Sequence, residues 1–376
     1  MDDAVRLQLY IGSPNPTPAP RVAIEALREV IVTVRDRGRS GFQITFAMNP
    51  RSPLDTWLLL TGGQPVNVLR VVIATIFKGI VEVLMDGVVT DHEILPGSHD
   101  GFARLSVTGQ DLSVLMDKID FSGVAFPATS AEDRVQQLLM KYASLGIVPR
   151  VVPGRLVDVP APPSRVPSQR RTDLAYIQSL ARRVGHVFYL EPGPTPGVNT
   201  AYWGPPVRNG LAQRALNVDM DAHTNVQALN FTFDNNVNGV PAVRHIDEDT
   251  GQDSAVSVPD ATTRYPPLGL RAPLANRRQP IDDNIAKRSL PEAMMLGMAR
   301  ITSMAEAVSA RGELDITRYG AILKARRLVG VRGAGIAFDG LYYVRSVTHR
   351  IQRGQYRQSF ELSRDGLKST VATVPV

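Results

Sequence analysis

Hydrophobic and polar positions alternate with a period of two over several stretches of the chain, which is the pattern of half-buried β-strands. In Glu29–Arg35, Val30, Val32 and Val34 share one face. After a turn at Arg37–Gly41, Phe42, Ile44 and Phe46 alternate against Gln43 and Thr45, which predicts a hairpin. Leu69–Phe77, Ile80–Met85, Val88–Ile94 and Phe102–Thr108 add further strands. About six strands in the first ~120 residues suffice for a small barrel or a sandwich.

The clearest alternation lies near the C-terminus, in Asp339–Leu367. Leu341–Ile351 is rich in Tyr, Val, Thr and Ile, and Arg353-Gly354-Gln355 can reverse the chain. Arg357–Arg364 then places Phe360 and Leu362 on one face and Ser359, Glu361 and Ser363 on the other. In the first strand, strict alternation puts Arg345, Val347, His349 and Ile351 on one side. Tyr342, Val344, Ser346, Thr348 and Arg350 fall on the other. A lone hairpin is marginal in water, so this one belongs to a larger sheet. Asp86–Leu112 repeats the plan: an Asp-Gly, a β-rich strand, a Pro/Gly/Ser break and a second alternating strand. Two such units far apart predict two related β domains, a chance match being the competing reading.

The middle of the chain has a helical period. Ser130 with Asp133 forms a capping box, Val135, Leu138, Leu139 and Tyr142 follow at helical spacing, and Gly146 stops the helix. A proline-dense linker, Pro153–Pro167, precedes a second helix from Thr172 to about Val184, with Leu174, Ile177 and Leu180 inward. His186–Glu191 and Ala201-Tyr202-Trp203 read as strands. Val218–Phe233 resumes β character, Pro259–Pro280 reads as loop, and Ser289 with Glu292 opens another helix that Gly312 stops. Its stripe, Met294, Met298, Ile301, Ala305 and Val308, packs either in the core or on a neighbouring subunit. The expected class is therefore α+β, mainly β. The expected domains are a first β domain at 1–125, a small α/β domain at 126–210 and a second β domain at 211–376 carrying a long helix at 290–311.

Composition narrows the function. The chain has 376 residues, long enough for two or three domains. It has no cysteine, which excludes disulfides, zinc–thiolate sites and thiol catalysis. MDDAVRLQLYIG is not a signal peptide, and the most apolar stretch, Val71–Phe77, is too short to span a bilayer. The net charge is +6, and basic residues crowd the stretch from Arg318 to Lys368, where only Asp339, Glu361 and Asp365 oppose them. That predicts a positive C-terminal surface for an acidic partner or nucleic acid, or else a solvated strand face.

No motif marks a reaction. His92-Glu93 lacks the second histidine of a zinc protease, and Pro96 breaks the helix such a site needs. Gly330–Gly335 has neither dinucleotide nor Walker spacing and reads as a turn between strands. The loop with Asp247, Glu248, Asp249 and Asp253 lacks the flanking helices and final glutamate of a calcium hand. Paired carboxylates brought together from distant positions stay open. No cofactor is expected.

Three ordered segments carry a family resemblance. These are Asp86–Thr90 leading to Leu105–Leu112, the helix and strand TDLAYIQSLARRVGHVFY at Thr172–Tyr189, and FDGLYYVRSVTH at Phe338–His349 with SFELSRDG at Ser359–Gly366. Together they resemble the phage late control protein D family, baseplate hubs of contractile tails and injection systems whose fold type VI secretion spikes share. The resemblance spans about residues 20–368 and implies two tube-like β-barrel domains per subunit in a homotrimer. Such a trimer matches a six-fold tail tube to a three-fold spike. The implied partners are a tube hexamer, a spike trimer on a separate chain, other baseplate proteins, and DNA or effector cargo in the lumen. No membrane insertion is implied, and the particle would assemble in the bacterial cytoplasm. Within that reading, Arg350, Arg353 and Arg357 are the candidates for tube docking at a rim. Arg345 is the candidate for a lumen or barrel face, and Met294, Met298 and Ile301 for subunit packing. A basic nucleic-acid-binding module and a tail-associated cell-wall hydrolase are the alternatives.

Overall fold

The computed structural model describes residues 5–13, 15–48, 54, 58, 60–61, 64–65, 68–95, 103–154, 156–159, 166–235, 239–242, 244–246, 252–255, 266–271, 277–280, 289–304, 306–372 and 374. Most of the acidic loop at 247–253 and His99 lie outside them. The fold is mainly β, as the alternation predicts.

Six strands make the first unit: β1 (Arg6–Gly12), β2 (Leu27–Arg35), β3 (Gly41–Met48), β4 (Arg70–Phe77), β5 (Ile80–Leu95) and β6 (Ala103–Asp111). A small α/β layer follows, with α1 (Ala131–Met140), β7 (Ile147–Val151), α2 (Asp173–Arg183), β8 (Val187–Pro192) and β9 (Asn199–Gly204). The second unit holds β10 (Gln213–Asn217), β11 (Ala228–Phe233), α3 (Leu290–Met304), β12 (Val308–Asp315), β13 (Leu328–Arg332), β14 (Gly340–Gln352) and β15 (Gln355–Arg364).

The two units have the same strand order. The first runs β2-β3-β6-β5-β4-β1 and the second β11-β12-β15-β14-β13-β10. Each strand of the second thus takes the place of its counterpart in sequence order. One direction differs: β1 is antiparallel to β4, whereas β10 is parallel to β13. The duplication extends to irregularities. β5 has a bulge at Thr90, between Val89 and Asp91, and β14 has one at Arg345, between Val344 and Ser346. Both units belong to one 13-stranded sheet, joined where β14 pairs with β2.

Several expected details change. Ile80–Met85 and Val88–Ile94 are one strand of 16 residues, with Asp86-Gly87 inside it. Aligning the bulge at Thr90 with that at Arg345 sets Asp86-Gly87 level with Leu341-Tyr342, so Asp86-Gly87 is not the counterpart of Asp339-Gly340, which opens β14. The bulge also breaks the alternation predicted for β14: Tyr342 and Val344 join Val347 and Ile351 in the core, leaving Ser346, Thr348 and Arg350 outside. The third helix ends at Met304 rather than near 311, because Val308–Asp315 is a strand paired on both sides, to β11 and β15. Gly312 is therefore a strand residue, not a stop. Gly330 likewise sits in β13, and the turn falls on Gly333 and Gly335.

Both helices of the α/β layer start where their caps predict, but the first ends at Met140, so Tyr142 lies beyond it and Gly146 closes a separate short turn at Ala143–Leu145. Ser130 Oγ accepts from Asp133 N at 3.1 Å and donates to its carboxylate at 2.7 Å, and Thr172 Oγ1 caps Ala175 N at 3.2 Å. Val135, Leu138, Leu139, Leu174, Ile177 and Leu180 pack with Trp203 in a core that also takes Leu112 and Met116 from the end of the first unit. A single larger core runs through both six-strand units, from Leu9 and Val30 to Phe360 and Leu362.

Candidate interaction surface

The side of the sheet away from this core is open and polar over eight adjacent strands, in the order β11-β12-β15-β14-β2-β3-β6-β5. Period-two alternation fixes which side chains reach it. Cross-strand partners then line up in rows. One row runs Asn230, Arg311, Glu361, Ser346 and Arg35. A second carries Glu313, Ser359, Thr348 and Thr33, and a third Arg357, Arg350, Ile31, Gln43, Thr108 and Asp91. Hydroxyls and amides bond along and between the rows: Thr33 and Thr348 meet at 3.1 Å within one row, and Gln43 Nε2 donates diagonally to Ser106 Oγ at 2.8 Å. A groove of about 530 Å³ lies on this face, lined by Thr33, Arg35, Arg311, Ser346, Thr348 and Glu361 among others.

Charges on the face are matched rather than one-signed. Arg311 Nε lies 2.9 Å from Glu361, Arg350 Nε 2.7 Å from Glu29, and Arg357 3.5 Å from Glu313. This corrects the predicted positive surface. The carboxylates that oppose the C-terminal arginines come from distant sequence, through β2 and β12, and from Glu82 on β5, whose carboxylate lies 2.5 Å from Lys324. Arg326 and Arg364 are buried and present no guanidinium at the surface.

Arg350, Arg353 and Arg357 do cluster at one end of the sheet, around the β14–β15 turn where Gly354 takes φ +75°. Arg350 and Arg357 are direct cross-strand partners, a like-charge pair that Glu29 and Glu313 flank from the outer strands. Arg353 donates to the backbone carbonyl of Glu25 at 2.8 Å. Arg345, by contrast, is the bulged residue and reaches Glu306 at 2.9 Å. The helix stripe is shifted as well. Ala293, Met295, Leu296 and Ala299 are buried inside the chain, while Met294, Met298 and Ile301 are half-buried.

Two ionic knots lie at the meeting of the domains, and neither was visible in any local motif. Glu306, at the entry to β12, receives Arg345 at 2.9 Å, Arg208 at 3.6 Å and Arg37 at 4.0 Å. Arg208 is buried and also bonds Asp365. Beside them, burial raises the Asp36 carboxyl above the usual range, against the pull of Arg345 and Arg37. The second knot is Arg326. Its guanidinium donates to the Arg35 carbonyl at 2.9 and 2.7 Å, to Ser40 Oγ at 3.2 Å and to the Leu190 carbonyl at 2.8 Å, and it stacks 3.8 Å over Tyr189. One side chain of the second unit thereby holds the first unit and the α/β layer.

The candidate chemical groups do not converge. His92 and Glu93 point to opposite sides of β5, opposite Val107 and Ser106. Among the described residues no group of three or more His, Asp or Glu could hold a metal. Asp111, whose carboxyl burial pushes up, is bonded to Ser113 and to Ser40 N and lies inside the fold. A cavity of about 810 Å³ lies beside α2, lined by Arg134, Arg170, Arg182 and Glu292 among others. No helix among the described residues is long and apolar enough to cross a membrane.

No family model matches the chain, and no curated protein matches it by sequence. Solved structures do match by fold. A tail protein from Neisseria meningitidis superposes with a TM-score of 0.62 at 13% identity, over 97% of this chain and 98% of that one. The 43 kDa tail protein of prophage MuSo2 from Shewanella oneidensis gives 0.58 at 13% identity, over 96% and 98%. An Escherichia coli component of the type VI secretion system, described as structurally similar to bacteriophage tail proteins, gives 0.52 at 14% identity, over 93% and 78%. The chain therefore has the fold shared by phage tail proteins and a type VI secretion component. That is the fold which the resemblance to baseplate hubs implies.

Proposed function

We propose that this chain is a structural hub of a contractile tail or injection particle, acting as a homotrimeric adaptor between a six-fold tube and a three-fold spike. The observation that carries the reading is the repeat of one six-strand order within a single chain. Three copies then present six equivalent units, which matches a hexameric ring without needing six chains. The fold likeness to tail proteins supports the same role. In this reading the open polar face lines the lumen. Its hydroxyls, amides and neutralised arginines offer a passing polymer little to hold. The arginine cluster at the β14–β15 turn forms part of the rim that meets the tube, and no catalytic role is assigned.

Negative-stain images of the purified chain test it. The expected particle is a ring with six lobes and three-fold symmetry. A field of compact single-chain particles at micromolar concentration, with or without a spike protein present, contradicts it. Nucleic-acid binding has less support, because the basic stretch is neutralised by carboxylates of the same chain.

A further inference from the structure

α3 of the second unit faces α2 of the α/β layer across the hollow of about 810 Å³, and α1 and the stretch 166–171 supply the other walls. Five arginines and three carboxylates line it. The carboxylates are engaged. Glu132 accepts from Gly154 N at 2.9 Å, Asp158 accepts from Ser289 Oγ at 2.8 Å, and Glu292 lies 3.6 Å from Arg183. The other arginines are not matched in this way. Arg134 is 6% exposed, and its guanidinium donates to two neutral acceptors, the Ser130 carbonyl at 3.1 Å and the Tyr176 hydroxyl at 2.8 Å. No carboxylate among the described residues pairs with Arg134, Arg170 or Arg182. Arg171 acts on Asp120, which lies outside the hollow. A buried cation without a counter-charge is costly. A bound carboxylate would supply that charge with the geometry a guanidinium favours.

The exposed arginines are held in place by their backbone. Bridges join Ser168 to Ala125 and Thr172 to Asp120. Between them Gln169 is buried, with its N donating to the Val124 carbonyl at 2.8 Å. Arg171 takes φ +65°, and its N donates to Ser122 Oγ at 2.8 Å. Arg170 and Arg171 therefore project from a fixed segment. The hollow is also longer than one chamber. Gln178, Ser179, Arg182 and Arg183 line both it and a second hollow of about 620 Å³, whose apolar wall includes Phe188, Leu296 and Ala299.

We propose that this groove docks an acidic peptide segment of another protein, with its carboxylates on Arg134, Arg170 and Arg182 and its apolar side chains against Leu156, Val166 and Val184. The site lies within one chain, so it goes beyond the hub reading and does not depend on it. The lining favours a peptide over a nucleic acid. Glu132, Asp158 and Glu292 repel a continuous run of phosphates, whereas a peptide spaces its charges with apolar residues. Tyr176 on the wall is buried and stacked on Phe126 at 6.0 Å, so it offers no open face to a base.

Fluorescence anisotropy of a short fluorescein-labelled peptide of alternating glutamate and leucine, titrated with the full chain, tests the site. The peptide is expected to bind, more weakly as salt is raised, and the matching lysine–leucine peptide is not. Arg170 and Arg182 are exposed, so Arg170→Glu/Arg182→Glu leaves the packing intact. It should weaken the glutamate peptide about tenfold or more. Arg134→Gln keeps a donor for the Tyr176 hydroxyl and should weaken binding by a similar factor, with an unchanged circular dichroism spectrum. Failure of the glutamate peptide to bind, or binding that either variant leaves unchanged, overturns the site. Competition by inorganic phosphate or by single-stranded oligothymidine at the peptide's own concentration marks a site for bare anions or for nucleic acid, and overturns the peptide assignment.

Discussion

Thr33 on β2 and Thr348 on β14 meet oxygen to oxygen at 3.1 Å, although 315 residues separate them in sequence. They sit at the seam where the first six-strand unit becomes the second. Around them the main chain runs on without a break in pairing, from Ser346 opposite Arg35 to Gln352 opposite Glu29. The two units are thus parts of one sheet, and the polar face on which these threonines lie belongs to both.

Arg326 locks that seam to the α/β layer. Arg326→Ala strips the donor from the buried contact at the Leu190 carbonyl, which costs about 1–3 kcal/mol when left unpaired, and removes the part-buried bonds to the Arg35 carbonyl and the stacking on Tyr189 as well. A loss of about 3 kcal/mol or more in urea unfolding is expected. Early proteolysis of the α/β layer should accompany it. A loss under about 0.5 kcal/mol, the level of an ordinary surface change, contradicts the assignment.

Phe42 on β3 covers Gly109 on β6, its direct cross-strand partner, and Phe360 on β15 covers Gly312 on β12 in the same way. A Cβ at Gly109 would lie 2.2 Å from the Phe42 ring and 2.5 Å from the Val88 carbonyl oxygen, and one at Gly312 2.5 Å from the Phe360 ring and 2.6 Å from the Ala228 carbonyl oxygen. Gly109→Ala should destabilise by about 1–3 kcal/mol, the usual cost of overpacking. Adding Phe42→Leu should recover part of that loss. Equal and additive losses in the double variant would show that the ring is not the obstacle.

Much of this fold was legible beforehand. The strands from Leu27 to Asp111 and the β14–β15 hairpin, both helix caps of the α/β layer and the repeat of a β unit follow from side-chain period and capping chemistry, which are local, whereas β1 at Arg6–Gly12, β7 at Ile147–Val151 and β12 at Val308–Asp315 were not foreseen as strands. The bulges at Thr90 and Arg345 were not, because one extra residue in a strand leaves no mark in composition. It nevertheless moves Tyr342 and Val344 to the core side. The charge of the C-terminal region was misjudged for a related reason. Counting along the sequence sees Arg350 and Arg357 but not Glu29 and Glu313, which only sheet pairing brings alongside. The Glu306 and Arg326 knots are likewise tertiary, with partners as far off as Arg37, Arg35 and Leu190. As for the helix that stops at Met304, a stripe at helical spacing ran by chance into Val308, which alternation claims for a strand.

His349 gives the stability an acid-sensitive component. Burial pushes its imidazole down to about 3, and the ring lies 2.7 Å from the Tyr356 hydroxyl in the core. The unfolded chain takes up that proton below about 6.5. The folded chain does not until near 3. The stabilisation is therefore complete above the unfolded value and is lost as the pH falls through this window, at up to about 1.4 kcal/mol per unit. Between pH 7 and pH 5 the wild-type chain should lose about 2 kcal/mol more than His349→Gln does in urea titrations. Parallel profiles for the two proteins would contradict a buried, neutral His349.

At the β14–β15 turn, Arg353 is bonded to a carbonyl, whereas Arg350 and Arg357 face carboxylates. Arg353→Glu should therefore weaken attachment of the tail tube more than Arg350→Gln or Arg357→Gln, and the difference should shrink as salt is raised. Single exposed ion pairs are worth about 0–1 kcal/mol, so an effect of up to fivefold in tube binding is the expected scale. Unchanged attachment of Arg353→Glu at low salt, with the oligomer intact, removes this turn from the docking rim.

The native mass of the purified chain, measured by mass photometry and by analytical ultracentrifugation, tests the central claim most directly. One chain weighs 41.0 kDa. The duplicated unit, read as half of a six-fold match, predicts a species of three chains at micromolar concentration, with monomer appearing only on dilution. A species that stays at one chain across that range, and remains so when the spike protein is co-expressed, contradicts the hub.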